Sequence, residues 1–263
     1  MKKILKLLTA GKAGLSTEQV ILRKTIFSFT VFILLIGLAA AGWNMLLQQP
    51  LDGGIRGGIQ EPLRKGLNIN EKIFTGYFDS SRLVKEYPLS KAAKNVRVNG
   101  DVGLSEDFFD PAEWKLQVIK SNGDTLFIPI EEIKQLPKTD VNFNFKCIEG
   151  WSQVTHWGGV KFSDFIQKYR LYNEISQKYA GMSTPDEEYY VGIDMPSIMH
   201  PQTILCYEMN GKPLPMNQGF PLRLIIPVKY GIKHLKRIGS IYFSNAKPAD
   251  YWAERGYDYH AGL

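Results

Sequence analysis

Apolar residues run uninterrupted by charge from Ile26 to Leu47, IFSFTVFILLIGLAAAGWNMLL, 22 positions in all. At about 1.5 Å per residue, a helix of that length crosses a hydrocarbon core of about 30 Å. A core helix of a soluble protein would carry a polar face, and this stretch has none. Trp43 stands near one end, where an amphipathic ring favours the bilayer interface. The pattern predicts a membrane-spanning helix. Beyond it, QQPLDGGIRGGIQEPLRKG (48–66) has paired glycines and no hydrophobic period, and reads as a tether. Its Gly-Gly-Ile-Arg-Gly-Gly lacks the preceding strand and following helix of a phosphate loop.

From about Ile73 the pattern becomes globular. Alternating or β-branched runs at NVRVNG (95–100), EWKLQVIKSNGDTLFIPIEEI (113–133) and FNFKCIEG (143–150) predict strands. Asn122-Gly123, between two such runs, predicts a hairpin turn. IPIEEIKQLP predicts a strand entering a short helix that stops at Pro137. In VKFSDFIQKYRLY (160–172), Phe162, Phe165, Ile166 and Tyr169 recur at helical spacing. A short helix and turn is predicted over 194–201. Strands follow within 203–215, 220–231 and 238–244, separated by glycine and proline turns. The fold class is α+β, β-rich with long loops, preceded by one transmembrane helix. The chain divides into a basic cytoplasmic N-terminus (1–25), an anchor (26–47), a tether (48–72) and a folded domain (73–263).

Charge sets the orientation. Of the net +6, residues 1–50 supply nearly all, with six basic side chains against one acidic; the remainder holds 26 basic and 25 acidic. The folded part offers no footprint for a polyanion, which argues against nucleic acid as a partner. Basic residues ahead of the apolar run place the N-terminus in the cytoplasm. A single-pass protein of the cytoplasmic (inner) membrane is expected, with the lipid bilayer as a partner and the C-terminal domain periplasmic or otherwise extracytoplasmic. The small residues at 39–42 suit a signal-peptide cleavage site, but the basic region is long and the apolar run exceeds a signal core, so a retained anchor is expected. RKTIF (23–27) fits two descriptions: ordinary flanking charge, and a twin-arginine export signal with lysine in the second basic place.

Chemistry concentrates in FKCIEGWSQVTHWGG (145–159), where Cys147, Glu149, Trp151, Ser152, His156 and Trp157 fall within eleven positions. The chain has two cysteines, Cys147 and Cys206, so a disulfide framework is excluded while a single bridge stays possible. Cys147 follows alternating Phe143 and Phe145 and opens a glycine-containing loop, which suits presentation of its sulfur to a pocket. A nucleophilic thiolate would need a base, and His156 is the nearby histidine. Zinc would need further ligands at close spacing, and none are there. A soft metal held mainly by its own cofactor would need one protein thiolate. A buried, inert thiol is the remaining alternative. Cys206, inside an apolar strand, is assigned to the core, and Lys229 to a solvated face.

FKCIEGWSQVTHWGG resembles the cofactor-cysteine segment of the sulfite oxidase superfamily of molybdopterin enzymes, nearest its periplasmic methionine sulfoxide reductase branch. That branch runs Cys-x-Glu-x-Trp-Ser, then Trp-x-Gly. ILCYEMNGKPLPMNQGFPLRLIIPVKYGIKHLKRIGSI (204–241) is similar to the family's Asn-Gly-x-x-Leu-Pro, Gly-x-Pro-x-Arg and Tyr-Gly-x-Lys-x-x-Lys series. RVNGDVG (97–103) is similar to its opening strand and turn. The likeness covers about residues 95–263.

The resemblance implies a molybdenum–molybdopterin cofactor, with molybdenum held by the two dithiolene sulfurs of the pterin and by Cys147. Arg223 and Lys236 would bind the pterin phosphate, and Gln218, His234 and Leu235 would line the cofactor, the last through its backbone. Gln218 stands where the family usually has Asn or His. Met182 stands where the branch has Thr, with Ser183 and Thr184 adjacent, and Tyr77 is the nearest match to an N-terminal cofactor contact. The activity implied is two-electron oxygen-atom transfer to or from a small molecule. Glu149, where a sulfite enzyme places cations, favours a neutral sulfoxide-like substrate. The alternatives are sulfite oxidation and a metal-free, membrane-tethered binding module. The chain carries no Cys-x-x-Cys-His and no flavin or nicotinamide fingerprint, so a membrane electron-transfer partner, cytochrome-like, is expected.

Overall fold

The computed structural model describes residues 16–53, 58–98, 100–105 and 109–262. It separates into two compact units, one running to Asp52 and including Gln60–Leu63, the other comprising Gly53–Ile59 and Arg64–Leu263. Most of the basic N-terminus, the Gly-Ile-Arg-Gly centre of the tether (54–57) and Asn99 of the RVNG motif lie outside the described residues.

The first unit is dominated by helix α1 (Thr17–Leu47), 31 residues with none buried. It begins ahead of the apolar run because Ser16 and Gln19 form a capping box. The Ser16 hydroxyl accepts from the Gln19 N–H at 3.4 Å, and the Gln19 amide oxygen accepts from the Ser16 N–H at 3.1 Å. By length and composition the helix is able to cross a membrane. Helix α2 (Glu61–Gly76) forms where the pattern predicts a tether. Glu61-Pro62 is a helix-start signal, and Gly66 interrupts the period that would have revealed it. In the second unit this helix is fastened by Arg64, which donates to the carbonyls of Ala253 and Tyr257, and by an ion pair between Glu71 and Lys247 at 2.6 Å.

Among the described residues, two five-stranded sheets build the second unit. The first has the order β2-β1-β10-β5-β6. Here β1 (Lys115–Ile119) and β2 (Thr125–Pro129) are the expected hairpin, with Gly123 at φ +91° and the Asn122 side chain accepting from the Asp124 N–H at 3.0 Å. Strand β10 (Ser240–Ser244) inserts parallel to β1 and antiparallel to β5 (Tyr179–Ser183), which pairs with β6 (Tyr190–Asp194). Leu116, Val118, Ile241 and Met182 alternate into the main core, against Phe162, Phe165 and Ile166 of helix α4 (Phe162–Lys168). Helix α3 (Ile130–Lys134) follows β2, and α5 (Met195–Ile198) follows β6, both where the sequence pattern places them.

The second sheet is antiparallel: β3 (Lys138–Lys146), β4 (Ser152–Lys161), β7 (Ile204–Met209) and β8 (Lys212–Pro213), with β9 (Arg223–Ile225) also on β7. Several elements are shorter than the pattern predicts. The 160–172 helix keeps 162–168, because β4 continues to Lys161 in register with Ile204 and Arg170 adopts φ +52°. The 220–231 strand keeps Arg223–Ile225, since Pro221 and Pro227 cannot donate to a ladder. No strand forms over 96–98. Gln153 takes the partner's place, accepting from the Arg97 N–H at 3.0 Å and donating to the Asn95 carbonyl at 3.0 Å.

Candidate active site

The period of two along the second sheet puts the site on one face. Val141, Phe143 and Phe145 of β3 point inward with Thr155 and Trp157 of β4, which pair opposite Phe143 and Val141. Cys147 continues that face one step beyond the strand and is 3% exposed. Its loop is a tight return: the Cys147 N–H donates to the Trp151 carbonyl at 2.9 Å, and the Gly150 N–H to the Cys147 carbonyl at 3.1 Å. Gly150 sits at φ +90°, a left-handed conformation that glycine adopts without strain. Glu149 accepts from the Trp151 indole N–H at 2.9 Å, and Trp151 stacks on Phe145.

The same register corrects the pairing of Cys147 with His156. His156 alternates to the opposite face, where it lies 3.2 Å from the Asp140 carboxylate. It cannot serve as a base for the thiol. Cys206 lies in the core of this sheet, and burial pushes its thiol up to about 12. The two cysteines form no disulfide.

Across the sheet, Arg223 pairs in register with Cys206 and is 2% exposed. Its guanidinium lies 4.5 Å above the Trp157 ring, a cation–π contact on a buried indole. Nη1 donates to the Gln218 side-chain oxygen at 2.7 Å and to the Gln218 carbonyl at 3.2 Å, and Nη2 to the His234 carbonyl at 3.4 Å. Nε is buried without any hydrogen-bond acceptor, and among the described residues no carboxylate forms an ion pair with this guanidinium. Burial holds its proton affinity below the usual value, at about 10. Lys236 bridges to Arg223 along the backbone and donates to the Gly100 carbonyl at 2.7 Å. Burial, then the charge of Arg223, pushes Lys236 down to about 7, while Asp101 and Cys147 oppose that shift from close by.

His234 packs between Phe143 and Phe145, with ring centroids at 6.1 and 4.7 Å. The Ile226 N–H donates to Nδ1 at 3.4 Å, so the proton resides on Nε2, which donates to the Lys229 carbonyl at 3.2 Å. Burial and the neighbouring Arg223 push it down to about 3, and the ring is neutral at physiological pH. Leu235 is fully buried, and its N–H and carbonyl bond to the Lys233 carbonyl and the Leu224 N–H.

Gln218 and Arg223 share a narrow cleft with Arg97, Trp151 and Trp157, and Cys147 stands outside its wall. A larger cavity, about 860 Å³, lies by the other face of β3, where Asn144 and Lys146 join Phe74, Tyr77, Tyr87 and His260. Tyr77 thus lines a different cavity from Arg223. Met182 belongs to the main core, while Thr184 is buried, donates to Asp186 at 2.6 Å and packs against Gly103. Lys229 is not on a solvated face: it is 1% exposed and pairs with Asp194 at 2.7 Å. A fully buried ammonium needs such a carboxylate, and the partner comes from a segment 35 residues away. Two further side chains border the site: Tyr189, which has no sequence signal, and Arg97, the first residue of RVNGDVG. Tyr189 donates to the Ile232 carbonyl at 2.6 Å and lies near enough to Cys147 to feel its charge. Arg97 lies 4.8 Å above Trp151.

A model of the oxidoreductase molybdopterin-binding domain matches residues 102–252, and the chain belongs to that family, within the sulfite oxidase superfamily and its methionine sulfoxide reductase branch. A chain of Azospira oryzae, described as a candidate protein-methionine-sulfoxide reductase subunit, YedZ1, is 33% identical over 186 residues, 70% of each chain. The protein-methionine-sulfoxide reductase catalytic subunits MsrP of Campylobacter jejuni and Xanthomonas campestris are 29% and 31% identical. Each match covers 62% of this chain, and 60% and 51% of the respective relative.

The family binds a molybdenum cofactor, and the residues present suit one. A buried guanidinium with an unused donor and no carboxylate lacks the anion that would offset its desolvation. Lys236 adds a second cation beside it, and Cys147 supplies a soft sulfur donor nearby.

Proposed function

We propose that this chain is a membrane-anchored molybdopterin oxidoreductase that reduces a neutral sulfoxide-like substrate with electrons from a membrane partner. The observation that carries the reading is the orphaned Nε of Arg223, a buried donor with no acceptor in the protein, on a guanidinium set beside Lys236 near Cys147. In the roles we assign, Arg223 and Lys236 hold the anionic end of the cofactor and Cys147 is the thiolate ligand to molybdenum. Gln218 fixes the Arg223 fork through its amide oxygen and carbonyl. His234 serves as a neutral spacer under the site, with Leu235 setting the backbone between it and Lys236. The bound cofactor supplies two-electron oxygen-atom transfer.

Glu149, held on the Trp151 indole two residues from Cys147, disfavours a dianionic substrate, and the named relatives are methionine-sulfoxide reductases. Arg97 favours a second reading, oxidation of a sulfite-like anion, because it brings a cation to the same cleft. Turnover of purified, loaded chain with artificial electron carriers separates the two. Sulfoxide-dependent oxidation of a reduced dye is expected, and exclusive sulfite-dependent reduction of an oxidised dye would reverse the assignment.

Helix α1 is proposed as a retained single-pass anchor of the inner membrane, with the folded domain on the periplasmic side. That domain would then cross the membrane already folded, and RKTIF is its candidate signal. Export improved by Lys24→Arg supports this route, and export unaffected by blocking the twin-arginine pathway refutes it.

A further inference from the structure

Helix α2 has two unlike faces. Arg64 and Glu71, seven residues apart and therefore on one side, fasten it to Ala253, Tyr257 and Lys247. Ile69 and Ile73, four residues apart, project on the opposite side and are 58% and 49% exposed. Phe74 and Tyr77, 63% and 83% exposed, turn away from that row and line the cavity beside β3. Lys65 and Lys72, again seven apart, flank the isoleucine row.

We infer that this face of α2 lies in the membrane interface, with its apolar row among the acyl chains and its lysines at anionic headgroups. The inference rests on the reading of α1 as an anchor. Thirteen residues separate Leu47 from Glu61, so even a fully extended link keeps α2 within about 45 Å of the point where the chain leaves the bilayer. Apolar residues beside lysines on an amphipathic helix are what an anionic lipid surface recognises. The opposite side of the helix is held by ion pairing and hydrogen bonds. The consequence is a domain with a defined face towards the membrane, rather than one swinging freely on a leash.

The test is collision accessibility of nitroxide labels on the full chain in nanodiscs containing anionic lipid. Labels are placed one at a time at Ile69→Cys and Ile73→Cys, with Glu131→Cys as the water-facing control. Oxygen is expected to relax the labels at 69 and 73 several-fold more than a water-soluble nickel chelate, with the order reversed at 131. Chain retained in the discs, with labels at 69 and 73 as open to nickel as the one at 131, overturns the inference. So does dipolar broadening between copies, which would assign the face to a second chain, or protection that appears on addition of a membrane partner and is absent without it. Chain that washes off the discs refutes the anchor reading as well, which distinguishes the two failures.

Discussion

Arg223→Lys tests the anion site because it keeps a buried positive charge and removes the fork. Loaded and empty protein both lose the Nη1 bonds to Gln218 at 2.7 and 3.2 Å, the Nη2 bond to the His234 carbonyl and the stacking over Trp157. Loaded protein alone also loses whatever Nε donates to, since Nε has no acceptor within the chain. A charge-assisted bond of that kind contributes about 1.5–3 kcal/mol. The stability gap between loaded and empty forms therefore shrinks by that amount, and cofactor affinity falls about 10- to 150-fold. For a chain of this size the gap in unfolding midpoints narrows by about 3–12 °C. Calorimetry on protein from cofactor-competent and cofactor-deficient cells measures both midpoints, with molybdenum content read by mass spectrometry. Equal destabilisation of the two forms would refute the reasoning and make Arg223 a structural cation.

Other consequences follow from the same geometry. Burial lowers Lys229 to about 8 from an ordinary 10.5, so between those values the unfolded chain binds more protons. Stability should rise over that window by up to about 3 kcal/mol relative to Lys229→Met, measured by urea unfolding at stepped pH. Asp194→Asn strands Lys229 without its carboxylate and should cost about 3–5 kcal/mol, read as a lower urea midpoint. Gly219→Ala places a methyl 2.8 Å from the Arg237 nitrogen and 3.0 Å from the Lys236 Cα, at φ +94°. It should cost at least about 1–2 kcal/mol and lower molybdenum content by displacing Lys236. Cys206→Ala should leave molybdenum content unchanged while costing about 1–2 kcal/mol of packing.

Legibility in the sequence followed the range of the interactions. The β1–β2 hairpin was readable because Asn122-Gly123 carries its own turn geometry, and α1 because an apolar run of that length needs no tertiary partner to announce itself. Helix α2 was hidden by Gly66 and by a face that depends on Arg64 reaching a segment almost 190 residues away. At the site, the alternating Phe143 and Phe145 located Cys147 just past a strand end, where the structure has it, buried. That His156 faces the other way follows from the same alternation on β4, but it needed the β3–β4 register to become visible. The burial of Lys229 was not readable, because its carboxylate is contributed by β6 through tertiary packing. The setting of Tyr189 likewise exists only once Ile232 is brought beside it.

The role of Cys147 is tested most directly by molybdenum X-ray absorption on the purified full chain and on Cys147→Ser, both from cofactor-competent cells. A sulfur shell of three in the wild-type protein, falling to two in the variant, is the predicted result. Identical sulfur shells in the two proteins, or wild-type protein that carries no molybdenum, would contradict it.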